Sequence, residues 1–160
     1  MRIKRLKMIL NLGCGTEDYG DVRVDFLDTG TTTHIQDLNQ TFQFESNSFD
    51  KVYSNSVLEH IRNCGNFVDE IHRVLKKGGK FFIRTDNANY FGFLLKNHQS
   101  YIENTYKHHT EDDLHYYLFK EEHLRNLFKK FKDLKITLTC SSKKLFWLPN
   151  KLSCMHIEIR

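Results

Sequence analysis

Met8-Ile9-Leu10-Asn11-Leu12-Gly13-Cys14-Gly15, with Val22-Arg23-Val24-Asp25-Phe26 close behind it, is the stretch whose reading decides the fold. The first run is short and apolar and stops at a Gly-x-Gly turn, the pattern of a buried parallel strand that ends in a tight bend. The second run is rich in β-branched residues and reads as a neighbouring strand. Only residues 16–21 join them, whereas a helical crossover between parallel strands takes roughly ten residues or more. The expectation is an α/β sheet whose first crossover has lost its helix.

His34-Ile35-Gln36-Asp37-Leu38 reads as a third strand, again reached through a turn-rich connection, and Phe49-Asp50-Lys51-Val52-Tyr53-Ser54-Asn55 as a fourth. The period then changes. Phe67, Val68, Ile71, Val74 and Leu75 recur at helical spacing, with Asn66 placed to cap the helix and Lys76-Lys77-Gly78-Gly79 to end it. Residues 80–85 make a fifth strand and residues 89–96 a short aromatic-rich helix. Leu124, Leu127, Phe128 and Phe131 mark one face of a helix starting near Lys120. Leu134–Thr139 and Met155–Ile159 alternate as strands and are close enough to form a terminal hairpin. Strands alternating with helices and a final hairpin imply a mainly parallel sheet with one antiparallel strand at its C-terminal end.

Composition narrows the class. A chain of 160 residues with 39% hydrophobic content has material for one core, so residues 1–160 are expected to form a single domain. No run approaches the roughly 18–20 apolar residues that cross a bilayer, and the basic start Met1-Arg2-Ile3-Lys4-Arg5-Leu6-Lys7 leads straight into a strand. A soluble, cytoplasmic protein without a membrane span is the expectation. The net charge of +4 comes from Lys and Arg scattered among acidic residues, a weak argument for a nucleic-acid partner. Cys14, Cys64, Cys140 and Cys154 lack zinc-like spacing and are expected to be reduced, the alternative being a disulfide between Cys140 and Cys154 across the terminal hairpin.

Ligands of such sheets bind beyond the carboxyl ends of the strands. There, Gly13 and Gly15 let backbone approach a ligand closely. A dinucleotide fingerprint wants a third glycine where this chain has Asp18, and a helix N-terminus for pyrophosphate. Both absences argue against a nicotinamide or flavin enzyme. Asp25, at the end of the second strand, suits ribose hydroxyls by charge-assisted hydrogen bonding, the plain alternative being a solvated turn aspartate. Asp37 suits an exocyclic adenine amine, with Leu38 packing on the ring, or else caps a turn.

Read in order, Asn-Leu-Gly-Cys-Gly from Asn11, Val24-Asp25, Asp37-Leu38, the run from Asn47 through Val57-Leu58-Glu59-His60-Ile61, and Glu70-Ile71-His72-Arg73-Val74-Leu75-Lys76-Lys77-Gly78-Gly79 resemble the class I methyltransferase family. The likeness runs from Ile9 to about Ile83 and is greatest to the small subset with a shortened first crossover. It implies a Rossmann-like fold and S-adenosylmethionine as cofactor. Asn11 sits in the matching motif; Gly13, Cys14 and Gly15 would pass the methionine part, Asp25 would hold the ribose, and Phe26 would pack near the adenine. Asp37 and Leu38 would address the adenine edge, and Ser54 and Asn55 would lie beside the sulfonium and the methionine amine. Thr16-Glu17-Asp18-Tyr19-Gly20 departs from the family's glycine and helix, which loosens the expected hold on the cofactor's amino-acid end.

Methyl transfer from a sulfonium is chiefly a matter of placement. An acceptor that must lose a proton gains from a general base, and the candidates are Glu59 and His60, with His108 or His109 behind them. The polar, aromatic segment 98–118 reads as a lid or acceptor-side insertion, where Tyr101, Tyr106, Tyr116, Tyr117 and Phe119 either line the acceptor pocket or pack. His98, His108, His109, His115 and His123 with Glu111, Asp112 and Asp113 show no zinc-like spacing, so no metal is expected. The acceptor is expected to be a small molecule or a sugar- or lipid-linked intermediate. RNA methylation and a catalytically silent binding module remain as alternatives. Missing crossover helices would leave a sheet face for a homodimer to cover.

Overall fold

The computed structural model describes residues 7–90, 115–140, 149 and 154–160. Seven strands form one sheet: β1 (Ile9–Leu12), β2 (Val22–Asp25), β3 (His34–Ile35), β4 (Phe49–Asn55), β5 (Leu75–Asp86), β6 (Ile136–Thr139) and β7 (His156–Ile159). Their spatial order is β3-β2-β1-β4-β5-β7-β6. The pairs from β3 across to β5 are parallel, and β7 runs antiparallel to both β5 and β6. The antiparallel strand is therefore inserted between β5 and β6 instead of lying at the sheet's edge. The sequence of strands reverses direction of travel between β1 and β4, which makes their carboxyl ends the switch point where such sheets bind ligands.

Helices are few. A 3₁₀ turn spans Leu58–His60, α1 is Cys64–Val74 and α2 is Glu121–Leu127. No helix joins β1 to β2, β2 to β3 or β3 to β4, as the short first connection predicts. The third strand is only two residues long, so Asp37 and Leu38 fall in the turn beyond it. Asn63 and not Asn66 caps α1: its side chain accepts from the Asn66 N–H at 3.1 Å. The helix also stops earlier than expected, with Leu75 already extended at φ −70° and ψ 135°. Gly78, at φ +76°, serves an irregularity in β5, where the register to β4 slips between Phe49 and Lys51. The residues 91–96 of the expected aromatic helix lie outside the described residues.

Alternation along the strands sends Leu10, Leu12, Val24, Val52, Phe81, Ile83, Ile157 and Ile159 to one face, all buried. On that face they join Phe67, Ile71 and Val74 from α1, and Leu124 and Phe128 at α2. The long connection 36–48 replaces a crossover helix there by inserting Leu38 and Phe42, with Phe42 edge-on to Phe67 at 5.8 Å between centroids. One ion pair fastens it. Arg73 bridges to Glu70 at 2.6 Å and donates to the carbonyls of Phe44 (2.7 Å) and Phe42 (3.0 Å), while Glu70 Oε2 accepts the Phe42 N–H at 2.8 Å.

The Arg73 hydrogen bond holds the Glu70 carboxyl below its ordinary range, helped by the Phe42 N–H and opposed by burial. A depressed native value means that the stabilisation is complete above the unfolded pKa and is lost as pH falls through the native one. Glu70→Gln is expected to cost about 1 kcal/mol at neutral pH and to remove this share of the acid sensitivity. Urea denaturation of both proteins at neutral and acidic pH measures it; equal stability at neutral pH would show that the pair does not fasten the connection.

The opposite sheet face is polar and aromatic. Tyr53 stacks on Phe82 at 5.3 Å, Tyr19 meets Tyr53 edge-on at 4.9 Å, and Lys51 and Arg160 lie over the Tyr19 and Phe82 rings. Tyr19 belongs to the helix-free first connection, which thus lies along this face. At the other end, the β6–β7 pairing places Cys140 and Cys154 together, and they are joined in a disulfide where reduced thiols were expected; Cys14 and Cys64 are free. Among the described residues no helix is long and apolar enough to cross a membrane.

Candidate active site

Beyond the carboxyl ends of β1, β2 and β4 opens a cleft of about 680 Å³ lined by Gly13, Gly15, Asp25, Phe26, Asp37 and Leu38, together with His60, Arg62 and Tyr116. Its floor is the turn after β1. Gly13 sits at φ +68° and Gly15 at φ +50°, left-handed conformations that favour glycine. The N–H groups of Gly13 and Cys14 both donate to the Val24 carbonyl, at 2.8 and 3.0 Å. The Gly15 carbonyl is held in turn by the Thr29 hydroxyl and by Thr31 at 2.8 Å. A Cβ on Gly13 would lie 2.2 Å from Val57 Cγ2, whereas one on Gly15 would meet nothing within 4 Å. The turn is packed from behind at the first glycine and open at the second.

Asp25 closes the turn by accepting the Gly15 N–H at 2.8 Å on Oδ2, while Oδ1 takes the Leu27 N–H at 3.3 Å. A carboxylate offers about four lone-pair sites, so capacity remains for hydroxyls presented in the cleft. Phe26 beside it is 47% exposed, an aromatic face turned to the open space instead of the core. The Asp37 carboxylate, also on the lining, accepts from the Asn39 N–H and side-chain amide, both at 2.9 Å. Partial burial works against its charge, but these bonds, a Gln40 contact and the Arg62 guanidinium outweigh it and hold the carboxyl below its ordinary value. Two charged acceptors, an exposed ring and a glycine floor in one cleft have the makings of a nucleoside site.

Not every expected residue reaches the cleft. Ser54 is fully buried with its hydroxyl lacking a partner among the described residues, and Asn55 donates to Glu17 at 3.0 Å. Their places are taken by Ser56, at φ +55°, and Val57. Asn11 is buried and donates to the Tyr19 carbonyl at 3.1 Å, which fixes the first connection. Cys14 is buried, 3.8 Å from the Thr32 hydroxyl. Asn39, Gln40 and Arg62 line the cleft without having been singled out by sequence; adjacency to Asp37 was the only hint for the first two. Tyr116, one of the aromatic residues proposed for an acceptor pocket, does line it.

The two candidate bases separate. His60 faces the cleft, while Glu59 is 1% exposed and lies behind it. The Thr85 hydroxyl donates to Glu59 Oε2 at 2.7 Å, and burial pushes the Glu59 carboxyl up to about 7, with the Asp86 charge adding to the shift and the Thr85 bond opposing it. His115 packs edge-on against His60 at 4.4 Å between centroids, and its Nδ1 lies 3.3 Å from Asp86 Oδ2. His98, His108 and His109, and the lid segment up to residue 114, lie outside the described residues.

A family model described as a methyltransferase domain matches residues 16–83. The mitochondrial ubiquinone biosynthesis O-methyltransferase of Rattus norvegicus is 32% identical over 69 residues, which make up 43% of this chain and 20% of that protein. The match thus spans only a fifth of the relative. Among solved structures, an S-adenosylmethionine-dependent methyltransferase of Thermotoga maritima, described as a possible histamine N-methyltransferase, superposes with a TM-score of 0.71 at 18% identity, covering 96% of this chain and 80% of that one. A counterpart from Archaeoglobus fulgidus gives 0.69 at 16% identity, with 98% and 86% covered. Phosphoethanolamine N-methyltransferase 2 of Haemonchus contortus, solved with S-adenosylmethionine, gives 0.64 at 22% identity, with 86% and 36% covered. These likenesses establish the fold.

Proposed function

We propose that this chain is a class I S-adenosylmethionine-dependent methyltransferase, whose cleft binds S-adenosylmethionine and serves methyl transfer to a small acceptor. The observation that carries the reading is the convergence of the Gly13–Gly15 turn, Asp25 and Asp37 on one cleft. Gly15, with no heavy atom within 4 Å of where its Cβ would stand, gives the cradle that a close-lying ligand needs. Asp25 would hold the ribose hydroxyls, Phe26 and Leu38 would flank the adenine, and Asp37 would accept from its amine.

S-adenosylmethionine, when bound, supplies a methyl group already activated by the positive sulfur. The protein's own residues then have to orient the acceptor, keep water out and take up a proton where the acceptor carries one. His60, Arg62 and Tyr116 line the same cleft, and such an acceptor would rest on them. Arg62 lies 4.9 Å from the Tyr116 ring centroid, so a cationic and aromatic surface meets the acceptor there. A cleft of about 680 Å³ has room for a nucleoside cofactor and a compact second molecule, which favours a small-molecule or sugar- or lipid-linked acceptor over a folded nucleic acid.

Calorimetric titration with S-adenosylhomocysteine tests the reading. A micromolar Kd, about 8 kcal/mol, is expected, and Asp25→Ala is expected to weaken it by about 1–3 kcal/mol through lost charge-assisted hydrogen bonds. No heat at millimolar ligand would favour a silent module of the same fold. Unchanged affinity in the variant would place the ribose elsewhere.

A further inference from the structure

Behind His60 lies a cluster that cofactor binding does not use. Glu59, His60 and His115 each offer one ligand atom, and these atoms all lie within 4.8 Å of one another. Glu59 comes from the 3₁₀ turn after β4, as does His60, whereas His115 arrives from 55 residues further along the chain, where Tyr116 N–H donates to the Glu59 carbonyl at 2.8 Å and fixes the approach. We propose that these three residues form a binding site for a first-row divalent cation of the zinc type at the acceptor end of the cleft.

Several independent features support it. The Glu59 side chain is almost wholly buried, yet only Oε2 is satisfied, by Thr85; Oε1 has no hydrogen-bond partner among the described residues. A buried, half-satisfied carboxylate is costly unless something else completes it. Both histidines lie beside it, one edge-on to the other. The buried carboxylate of Asp86 stands 3.3 Å from His115 Nδ1 and 3.7 Å from His156 Nε2, and a carboxylate behind an imidazole is the arrangement that orients metal-ligating histidines. Two imidazoles and one carboxylate are a recurrent set for zinc sites that leave a position open.

Donors around a tetrahedral zinc, at about 2.0–2.1 Å from the metal, stand about 3.4 Å apart, so side-chain adjustments of about 1 Å would close this set. His60 lines the cleft, which puts the open position on the acceptor's side. An acceptor bearing a hydroxyl would be suited to it, because a cation there both positions an oxygen and eases loss of its proton. What the cation does for the acceptor rests on the methyl-transfer reading; that it binds does not.

The test is calorimetric titration of the full chain with Zn²⁺, with Mg²⁺ as the hard-cation comparison and with thermal melts to verify folding. One equivalent of Zn²⁺ is expected, with Mg²⁺ bound far more weakly. Glu59→Gln, which keeps shape and hydrogen bonding, and His115→Ala are each expected to weaken Zn²⁺ binding at least tenfold, while His123→Ala, on the exposed face of α2, leaves it unchanged. Absence of stoichiometric binding, or binding that survives Glu59→Gln and His115→Ala, would overturn the site. S-adenosylhomocysteine titrated into the same samples separates the two ideas: retained nucleoside affinity without Zn²⁺ binding would sink the cation site alone.

Discussion

Gly13→Ala is expected to destabilise the protein by about 2–5 kcal/mol and to remove nucleoside binding with it. Two costs add. At φ +68° a side chain enters the left-handed region, which costs roughly 1–2 kcal/mol for a residue with a Cβ. That Cβ would also stand 2.2 Å from Val57 Cγ2 and 3.0 Å from Val57 Cγ1, and Val57 itself packs against the core beside the cleft. Relief requires moving either Val57 or the turn, an overpacking penalty of about 1–3 kcal/mol. Moving the turn would disturb the paired bonds from Gly13 and Cys14 to the Val24 carbonyl. Gly15→Ala is the internal comparison, because its φ of +50° carries the first cost while its open surroundings spare it the second. Urea midpoints of the two variants decide: equal stabilities would show that the Val57 contact is unimportant.

His60→Ala is expected to lower turnover by about 100-fold or more on an acceptor that must shed a proton, with S-adenosylhomocysteine affinity almost unchanged. His60 lines the cleft but is not among the residues proposed to hold the nucleoside. Whether it takes a proton or helps to hold a cation, it acts on the acceptor, and the loss should fall on kcat. Steady-state kinetics alongside calorimetry check this split. Undiminished turnover would remove His60 from the chemistry, and a parallel loss of nucleoside affinity would make it part of the cofactor cradle.

Much of this arrangement is legible from local sequence because it is made by local rules. A short apolar run closed by Gly-x-Gly, followed too soon by a second β-branched run, dictates a parallel pair without a helix between, and the structure has that pair. Asp25 and Asp37 follow from where strands stop. Ser54 and Asn55 stand outside the cleft lining for a reason equally physical. Strand β4 continues through Asn55, so Ser54 points to the core face opposite Leu12 and Ile83, and Asn55 to the other face beside Glu17. Only when the strand ends at Ser56, with its positive φ, does the chain turn into the cleft.

The helix cap shows a similar shift. Asn66 is a good capping residue, but Asn63 precedes it with its oxygen aimed at the Asn66 N–H, adding the first turn that hydrophobic periodicity alone does not mark. What local sequence cannot reveal is the meeting of Glu59 and His60 with His115. Those residues are brought together by the crossing of β5 and the return of the chain at 115–119, where Phe119 bridges to Asn87. No spacing rule of the kind that betrays a zinc finger applies to such a set.

The central claim is that the glycine turn, Asp25 and Asp37 grip one nucleoside. A crystal structure grown with S-adenosylhomocysteine tests it most directly. The account predicts ribose hydroxyls within hydrogen-bond distance of Asp25, the adenine amine at Asp37, and the sulfur on the side of His60; a nucleoside seated away from residues 13–15, with either aspartate pointing elsewhere, would contradict it.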